Sequence, residues 1–271
     1  MVLIEPVGGL CNRMRAIASL NGLMKQLKID RTFTVIWKKN SDLNCLFNAL
    51  FSDDPSFAIA TSSFTFRNHT IVPYKYLFYY ISELYKSPSF VNIQNVREID
   101  FIDRKHDKYI YIYTCHAFYA NQDYSCFHPT RELVTLANDI QCKIQKNKTI
   151  GLHIRRQDNL NSIKYSPNEL FHERIQTIMH TDPETKFFLA TDDSEVRVEF
   201  MNRYKNRLIV QSQSDFSRKT ISGMKYALVD LLCLASCKEI LGSYYSSFSE
   251  VAGHYGNKRV TILSSDINSS I

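Results

Sequence analysis

The chain has 271 residues, of which 44% are hydrophobic and 22% are charged, a composition typical of a folded globular protein. Its formal net charge is +6, and the Lys and Arg residues are scattered along the sequence without a long basic run. This charge suits an acidic ligand but falls short of the clustered basic surface that nucleic-acid binding requires. The composition therefore excludes a disordered protein, and we expect no nucleic-acid partner.

The seven cysteines are odd in number and form no CxxC pair, which argues against a disulfide framework and against a zinc ribbon. We expect them to be reduced thiols in a reducing compartment. The first ten residues lack the basic and apolar segments of a signal peptide, and the sequence has no apolar run of about 18 residues. These features predict a cytosolic protein without a membrane segment.

The first half of the chain opens with a strand, a glycine turn and a helix. Residues 2–7 read as a strand, Gly8 and Gly9 interrupt it, and a helical apolar face follows. Glycines let the backbone approach a ligand, and Asn12 and Arg13 near the helix start favour an anion or a polar substrate. An ordinary turn between a strand and a helix explains the same pattern. Further along we predict a strand at 32–37, a loop or short helix at 42–51, a segment compatible with a helix at 74–85, a strand at 108–115 and a helix at 129–144.

The second half alternates short apolar strands with helices, which predicts a parallel sheet with helical crossovers. Residues 149–154 are an apolar run typical of a buried strand, and the polar residues 159–166 are predicted to form a loop. Asp193 or Ser194 is expected to cap a helix that ends at residue 204. The further predicted strands are 186–190, 207–211, 239–242 and 259–263, and the further predicted helices are 167–180, 219–236 and one that ends at residue 254.

Polar residues follow directly on the apolar run at 149–154: His153, Arg155, Arg156 and Asp158. They should emerge where the strand meets a loop, at the edge where α/β sheets bind ligands. Two guanidinium groups there would form an anion site that suits a pyrophosphate better than a lone carboxylate, because the planar fork of Arg fits two phosphate oxygens. A surface ion pair between Arg and Asp, which contributes little to stability, is the alternative.

Other predicted strand ends and helices carry complementary polar groups. Asp192 and Asp193 follow one strand, and Asp230 lies within an apolar helix. A buried carboxylate is costly when unpaired, so Asp230 should have an internal Arg or the donors of a ligand, such as a guanine edge or a ribose, as its partner. Ser246 and Ser247 open the last helix, either as simple caps or as phosphate ligands together with backbone N–H groups.

Four segments of the sequence resemble a known family of enzymes. HIRRQD at 153–158 resembles the HxRRxD motif of the GT-B fucosyltransferase superfamily, which includes α-1,2-, α-1,6-, nodulation-type and, more distantly, protein O-fucosyltransferases. FLATDDSEV at 188–196 and the segment 227–252 resemble further blocks in the family's order, and GGLCNRMRAI at 8–17 is similar to its N-terminal glycine turn. The resemblance is specific over 149–252, moderate over 1–30 and absent over 52–107. It implies an α/β fold with two Rossmann-like lobes whose parallel sheets face each other across a cleft.

The resemblance also implies roles for individual residues. Arg155 would hold the diphosphate of GDP-fucose, His153 and Asp230 would contact the nucleoside, and Arg156 and Asp158 would brace the site. We take Arg155 and Asp158 as the candidate catalytic residues. The remaining residues of the expected donor-binding set are Asp192, Ser246, Ser247, Gly8, Gly9, Asn12 and Arg13.

The family is inverting and metal-independent, and the sequence agrees on the second point because it contains no DxD pair and no metal-spaced His cluster. We therefore expect neither a cofactor nor a metal, and an Arg would stabilise the leaving pyrophosphate instead. Inversion also needs a base. Close α-1,6 relatives place a Glu ten residues beyond the His of the motif, where this chain has Ile163. The base is unassigned, with Asp158, Asp123 and Glu5 as candidates.

We expect residues 1–128 to form an acceptor-side lobe, 129–147 a crossover helix and 148–271 the nucleotide-sugar donor lobe. The predicted function is transfer of fucose from GDP-fucose to a hydroxyl of a glycan acceptor. One alternative is an inverting transferase that uses another GDP-sugar or a UDP-sugar, since the anion site indicates a diphosphate more surely than fucose. Another is a catalytically silent glycan- or nucleotide-binding protein on the same scaffold. The lack of an anchor would suit a bacterial or viral enzyme.

Overall fold

A computed structural model of the protein describes residues 2–30, 32–60, 64–66, 69–71, 92–93, 97–106, 110–212 and 215–265. The chain divides into two compact units, Met1–Thr130 and Arg131–Ile271. Within the described ranges, no helix is long and apolar enough to cross a membrane. All seven cysteines lie in these ranges, and no disulfide joins any of them there.

The N-terminal unit is an α/β unit with a parallel sheet at its centre. Its strands are β1 (Val2–Pro6), β2 (Phe33–Ile36), β3 (Phe51–Ser52), β4 (Phe57–Ala60), β5 (Phe64–Phe66), β6 (His69–Ile71), β7 (Asn92–Ile93), β8 (Ile110–Thr114) and β9 (His128–Pro129), and its helices are α1 (Leu10–Gln26) and α2 (Glu98–Arg104). Five strands form the parallel sheet in the order β4-β2-β1-β8-β7. The central strand β1 is buried along its whole length, as parallel strands covered on both faces are. The short pairs β3–β9 and β5–β6 are antiparallel.

The C-terminal unit repeats this plan with a more regular alternation of strands and helices. Its elements are α3 (Arg131–Gln141), β10 (Ile150–Ile154), α4 (Leu160–Tyr165), α5 (Asn168–Thr181), β11 (Phe187–Thr191), α6 (Ser194–Tyr204), β12 (Leu208–Val210), α7 (Ile221–Ser236), β13 (Ile240–Ser243), α8 (Ser247–Gly256) and β14 (Val260–Leu263). The sheet is parallel throughout, in the order β12-β11-β10-β13-β14. The strand order reverses between β10 and β13, and such a reversal opens a crevice at the carboxyl ends of the strands.

The two faces of β10 pack against different helices, because successive side chains of a strand point to opposite sides. Ile150, Leu152 and Ile154 enter a core shared with Phe171 of α5 and Phe200 of α6. On the other face, a Cβ built on Gly151 would lie 2.8 Å from Leu234 Cδ2, so the absent side chain allows α7 to pack closely. This alternation also decides where the polar residues at the end of β10 point.

Most elements expected from the sequence are confirmed. The strands predicted at 2–7, 32–37, 108–115 and 149–154 correspond to β1, β2, β8 and β10, and the helix predicted at 129–144 is α3. The later strands and helices also occur in the predicted order, and residues 42–51 contain a short 3-10 turn, Phe47–Ala49. The segment 74–85 lies outside the described residues.

The loop predicted at 159–166 is wrong, because residues 160–165 form helix α4. The Asn159 side chain caps this helix by accepting a hydrogen bond from the Ser162 backbone N–H at 3.0 Å. Leu160 and Ile163, its large apolar residues, are 79% and 41% exposed. The helix therefore lacks the buried apolar face on which a sequence-based prediction depends.

Candidate functional site

The end of β10 is held by both neighbouring strands. The backbone N–H of Arg155 donates to Ser243 Oγ at the end of β13, at 3.0 Å, and this hydroxyl donates to the carbonyl of His153 at 3.1 Å. On the β11 side, the backbone N–H of Arg156 donates to Asp192 Oδ1 at 2.8 Å. Because adjacent parallel strands supply both partners, the turn after β10 has a defined geometry.

The Arg155 guanidinium lies between two carboxylates, those of Asp192 and Asp158. The side chains of Arg155 and Asp192 are each 13% exposed, whereas that of Asp158 is 57% exposed. Burial raises the pKa of Asp192 above its ordinary value, and the charge of Arg155 opposes that rise. The inner carboxylate thus positions a largely buried cation, and the outer one is open to exchange with solvent or a ligand.

The Arg156 guanidinium contacts the first residue of α5 and the turn before it. It donates to Asn168 Oδ1, to the Ser166 carbonyl at 2.8 Å and to the carbonyl of Arg155 at 2.8 Å. Burial lowers its pKa. These contacts hold the Arg156 guanidinium against the start of α5, and an anion site shared by Arg155 and Arg156 stays a prediction. Arg156 has the contacts of a bracing residue, and its contact with a donor stays a prediction.

His153 lies on the same face of β10 as Arg155 and is 5% exposed. Its ring stacks on Phe248 of α8, with 4.8 Å between ring centroids. Burial and the charges of Arg155 and Arg156 lower the pKa of His153 to about 3, so the ring is neutral at pH 7. Its Nδ1 atom has no hydrogen-bond partner within the part of the chain that the structure describes. A buried polar atom of this kind is available to a ligand.

Asp230 on α7 accepts a hydrogen bond from an amide, whereas the sequence suggested an internal Arg or the donors of a ligand as its partner. Gln211, which directly follows β12, donates through Nε2 to Asp230 Oδ1 at 2.7 Å. Burial raises the pKa of Asp230 to about 7, while the Gln211 hydrogen bond and the charge of Arg197 oppose the rise. The Oε1 atom of Gln211 has no partner among the described residues.

Ser246 and Ser247 lie where α8 begins, at the carboxyl end of β13. Ser246 is the N-cap residue, yet the structure shows no capping hydrogen bond from its side chain within the described residues. Both serines are half-buried. The first backbone N–H groups of a helix attract anions, so the position is compatible with the predicted phosphate contact.

The N-terminal glycine turn is held by Arg13, which is 1% exposed. Its guanidinium donates to the carbonyls of Gly8, at 2.9 Å, and Lys38, at 2.5 Å, and lies 4.9 Å from the ring centre of Trp37. Burial lowers its pKa to about 10. Gly8 has a φ of +80° and Gly9 is the N-cap of α1. Arg13 therefore has a structural role in the turn, and its contact with a donor, like that of Gly8, Gly9 and Asn12, stays a prediction.

Each of the three candidate bases is ion-paired. Glu5 accepts from Tyr111 Oη at 2.8 Å and from Lys38 Nζ at 2.7 Å. Asp123 accepts from Lys25 Nζ at 2.5 Å, alongside the last turns of α1. Asp158 binds Arg155 and Arg218. The base stays unassigned.

Solved structures share this architecture. NodZ α-1,6-fucosyltransferase soaked with GDP-fucose superposes with a TM-score of 0.57 at 16% identity over 93% of this chain and 91% of that chain. A mutant of Arabidopsis thaliana FUT1 in complex with GDP superposes with a TM-score of 0.61 at 14% identity, over 97% of this chain and 69% of that chain. POFUT1 in complex with GDP-fucose superposes with a TM-score of 0.53 at 10% identity, over 97% of each chain. The chain has the fold of GT-B fucosyltransferases. No protein-family model and no curated protein sequence matches it.

Within this GT-B fold, sequence reasoning missed Ser243, Gln211, Phe248, Asn168 and Arg218. Ser243 ends β13 and Gln211 follows β12, so their place at the sheet edge could have been found from the predicted strand ends. Phe248 and Asn168 lie in the first turns of α8 and α5, and their contacts with His153 and Arg156 depend on helix packing. Arg218 contacts a residue 60 positions away, and no pattern in the sequence indicates this pair.

Proposed function

We propose that the protein transfers fucose from GDP-fucose to a hydroxyl of a glycan acceptor, by an inverting and metal-independent displacement. The observation that carries this proposal is the position of Arg155, which follows the central strand of a GT-B C-terminal unit at the strand-order reversal. Solved structures with this fold contain GDP or GDP-fucose, which supports a guanosine diphosphate donor.

In this proposal the C-terminal unit binds the donor. Arg155, fixed by Asp192, donates to the diphosphate and stabilises the negative charge that develops as GDP leaves. Such a preorganised cation takes the part that a divalent metal plays in other sugar-nucleotide enzymes. Ser246 and Ser247 add contacts to a phosphate through the start of α8. Asp158 keeps its proposed catalytic role through its ion pair with Arg155.

The nucleoside would contact His153 and Asp230. The neutral His153 ring presents an unsatisfied Nδ1, and the carboxylate of Asp230, whose pKa is about 7, can accept from the N1–H and amino groups of guanine in its ionised form. The amide of Gln211 supports Asp230 and carries an unsatisfied oxygen of its own. The N-terminal unit would bind the acceptor. The cytosolic location expected from the cysteines stays a prediction.

Thermal unfolding with GDP, UDP or CMP, each in the presence of EDTA, tests the donor. Ligand at about a hundred times its dissociation constant stabilises the folded state by about 2.7 kcal/mol, which shifts the unfolding temperature by a few degrees. We expect a shift with GDP alone, unaffected by EDTA. The shift should be lost in Arg155→Ala. It should be reduced in Arg155→Lys, which keeps a cation beside Asp192 and serves as the test if the alanine variant does not fold.

Turnover is then measured as GDP release from GDP-fucose with and without glycan acceptors. Release that depends on Arg155 supports the transferase. A shift with UDP would assign the fold to another nucleotide-sugar enzyme, and no shift with any nucleotide would refute the proposed ligand.

The exposed Ile163 favours a second candidate, a catalytically silent glycan- or nucleotide-binding protein on this scaffold. Its side chain is 41% exposed at the position where α-1,6 relatives have a Glu, so this position offers no base. GDP binding without any GDP-fucose turnover would support this candidate, and turnover that is lost in Arg155→Lys would exclude it.

A further inference from the structure

Two guanidinium groups converge on the carboxylate of Asp158. Arg218 lies 3.0 Å from Asp158 Oδ2 through Nη1, and its Nη2 donates to Oδ1 at 3.3 Å. The same Oδ1 accepts from Nη2 of Arg155. The two guanidiniums therefore lie on either side of one small anionic group, although 63 positions separate the two residues in the chain.

The arrangement differs from an isolated surface ion pair. A pair between exposed side chains contributes little to stability, and here Asp158 is 57% exposed and Arg218 is 35% exposed. Arg155 is different, because it is 13% exposed and Asp192 holds it from the inside. The carboxylate of Asp158 thus lies where an anion would contact one preorganised cation and one more accessible cation.

The segment that carries Arg218 is itself well ordered by hydrogen bonds. Asp215 accepts from the Ser217 backbone N–H at 3.0 Å and from Thr220 Oγ1 at 2.6 Å. Thr220 caps α7 by accepting from the Gly223 backbone N–H at 3.0 Å. A Cβ on Gly223 would lie 2.1 Å from the Ser217 carbonyl oxygen, so the turn packs directly on the helix. Arg218 therefore extends from a defined turn before α7 to the carboxylate that Arg155 also binds.

We propose that Arg218 is a second guanidinium of the donor site and binds the diphosphate together with Arg155. Asp158 holds the two cations near each other until a diphosphate oxygen displaces it from one of them. Two planar forks match the oxygens of two linked phosphates, whereas a monophosphate can engage one fork fully. This inference rests on the proposed function, since it assumes a nucleoside diphosphate at Arg155.

The test compares GDP with GMP in calorimetric titrations of the parent, Arg218→Gln and Arg207→Gln, all in EDTA. Arg207 is a matched control, because it pairs with the exposed Glu184 at 3.0 Å, is 29% exposed and precedes β12, at the opposite edge of the sheet. Loss of a charge-assisted contact should weaken GDP binding by about ten-fold or more in Arg218→Gln, with a smaller effect on GMP. Arg207→Gln should leave both affinities unchanged.

A double-mutant cycle with Asp158→Asn separates direct contact from an effect through Asp158. If Arg218 binds the diphosphate, Arg218→Gln still weakens GDP binding when residue 158 is Asn. An unchanged GDP affinity in that background, or equal losses for GDP and GMP, would overturn the proposal.

The two proposals fail in different ways. Loss of GDP binding in Arg155→Lys but not in Arg218→Gln refutes only the role of Arg218. If the parent binds UDP in place of GDP, the same comparison is made with UDP and UMP. A parent that binds no nucleoside diphosphate refutes both proposals.

Discussion

Arg155 and Asp192 pair at the carboxyl ends of the adjacent strands β10 and β11, and each side chain is 13% exposed. Asp192 also accepts from the backbone N–H groups of Arg156, at 2.8 Å, and Gln157, at 3.4 Å. One carboxylate thus fixes both the cation of the proposed donor site and the backbone that follows it.

Asp192→Ala should therefore lower both stability and GDP affinity. Leaving Arg155 and two backbone N–H groups without their acceptor should cost about 2 kcal/mol of unfolding free energy, measured by urea titration. The neighbouring variant Asp193→Ala is the control, since Asp193 caps α6 through the N–H groups of Glu195 and Val196. Asp193→Ala should lower the free energy of unfolding by about 1 kcal/mol and leave the GDP affinity unchanged. Equal effects of the two variants on GDP affinity would contradict this role of Asp192.

Asp230→Asn should stabilise the protein at neutral pH. The pKa of Asp230 is raised from 3.8 to about 7 in the folded state, so ionisation is less favourable there than in the unfolded chain. The resulting loss of unfolding free energy is absent below pH 3.8, grows as the pH rises towards 7 and is then constant. The variant should be as stable as the parent near pH 4 and more stable at pH 7 to 8. Asp139→Asn on the exposed side of α3 is the control, and a stability gain that is independent of pH would refute the prediction.

His153 should remain neutral between pH 8 and pH 5. Its pKa is lowered to about 3, so the His153 ring signal in NMR spectra should not shift over this range. His153→Gln identifies that signal by its loss. Because the unfolded chain takes up a proton below about pH 6.5, His153 destabilises the folded protein increasingly as the pH falls. His153→Gln should therefore lose less stability in acid than the parent. Titration of the His153 ring signal above pH 5 would disprove the prediction.

Gly8→Ala should destabilise the N-terminal turn by about 1 to 2 kcal/mol, because alanine is strained at a φ of +80°. A Cβ at this position would also lie 2.8 Å from Nδ2 of Asn12. Gly9→Ala is the control for strain, since Gly9 has a φ of −73° that alanine adopts readily. Urea titration measures both variants. A larger loss of unfolding free energy in Gly9→Ala than in Gly8→Ala would show that strain at Gly8 does not determine the stability of the turn.

Local patterns were sufficient to predict much of the fold. Apolar runs predicted β1, β2, β8 and β10, because a parallel strand covered on both faces needs such a run. Asp193 was one of two expected caps of α6, and its side chain accepts from two backbone N–H groups there. Helix α4 was missed because Leu160 and Ile163 are exposed, and its position depends on Ser162 Oγ, which donates to the Tyr244 carbonyl at 2.6 Å.

The apolar pattern alone was enough to predict polar residues after the buried strand β10, since burial of Ile150, Leu152 and Ile154 places the next residues at the sheet edge. Tertiary structure decided the partners of these residues. Strand order brings Ser243 and Asp192 to either side of Arg155, and helix packing turns Arg156 to Asn168. Hydrophobic periodicity acts over a few residues, whereas a polar side chain pairs with whatever group the fold brings within about 3 Å.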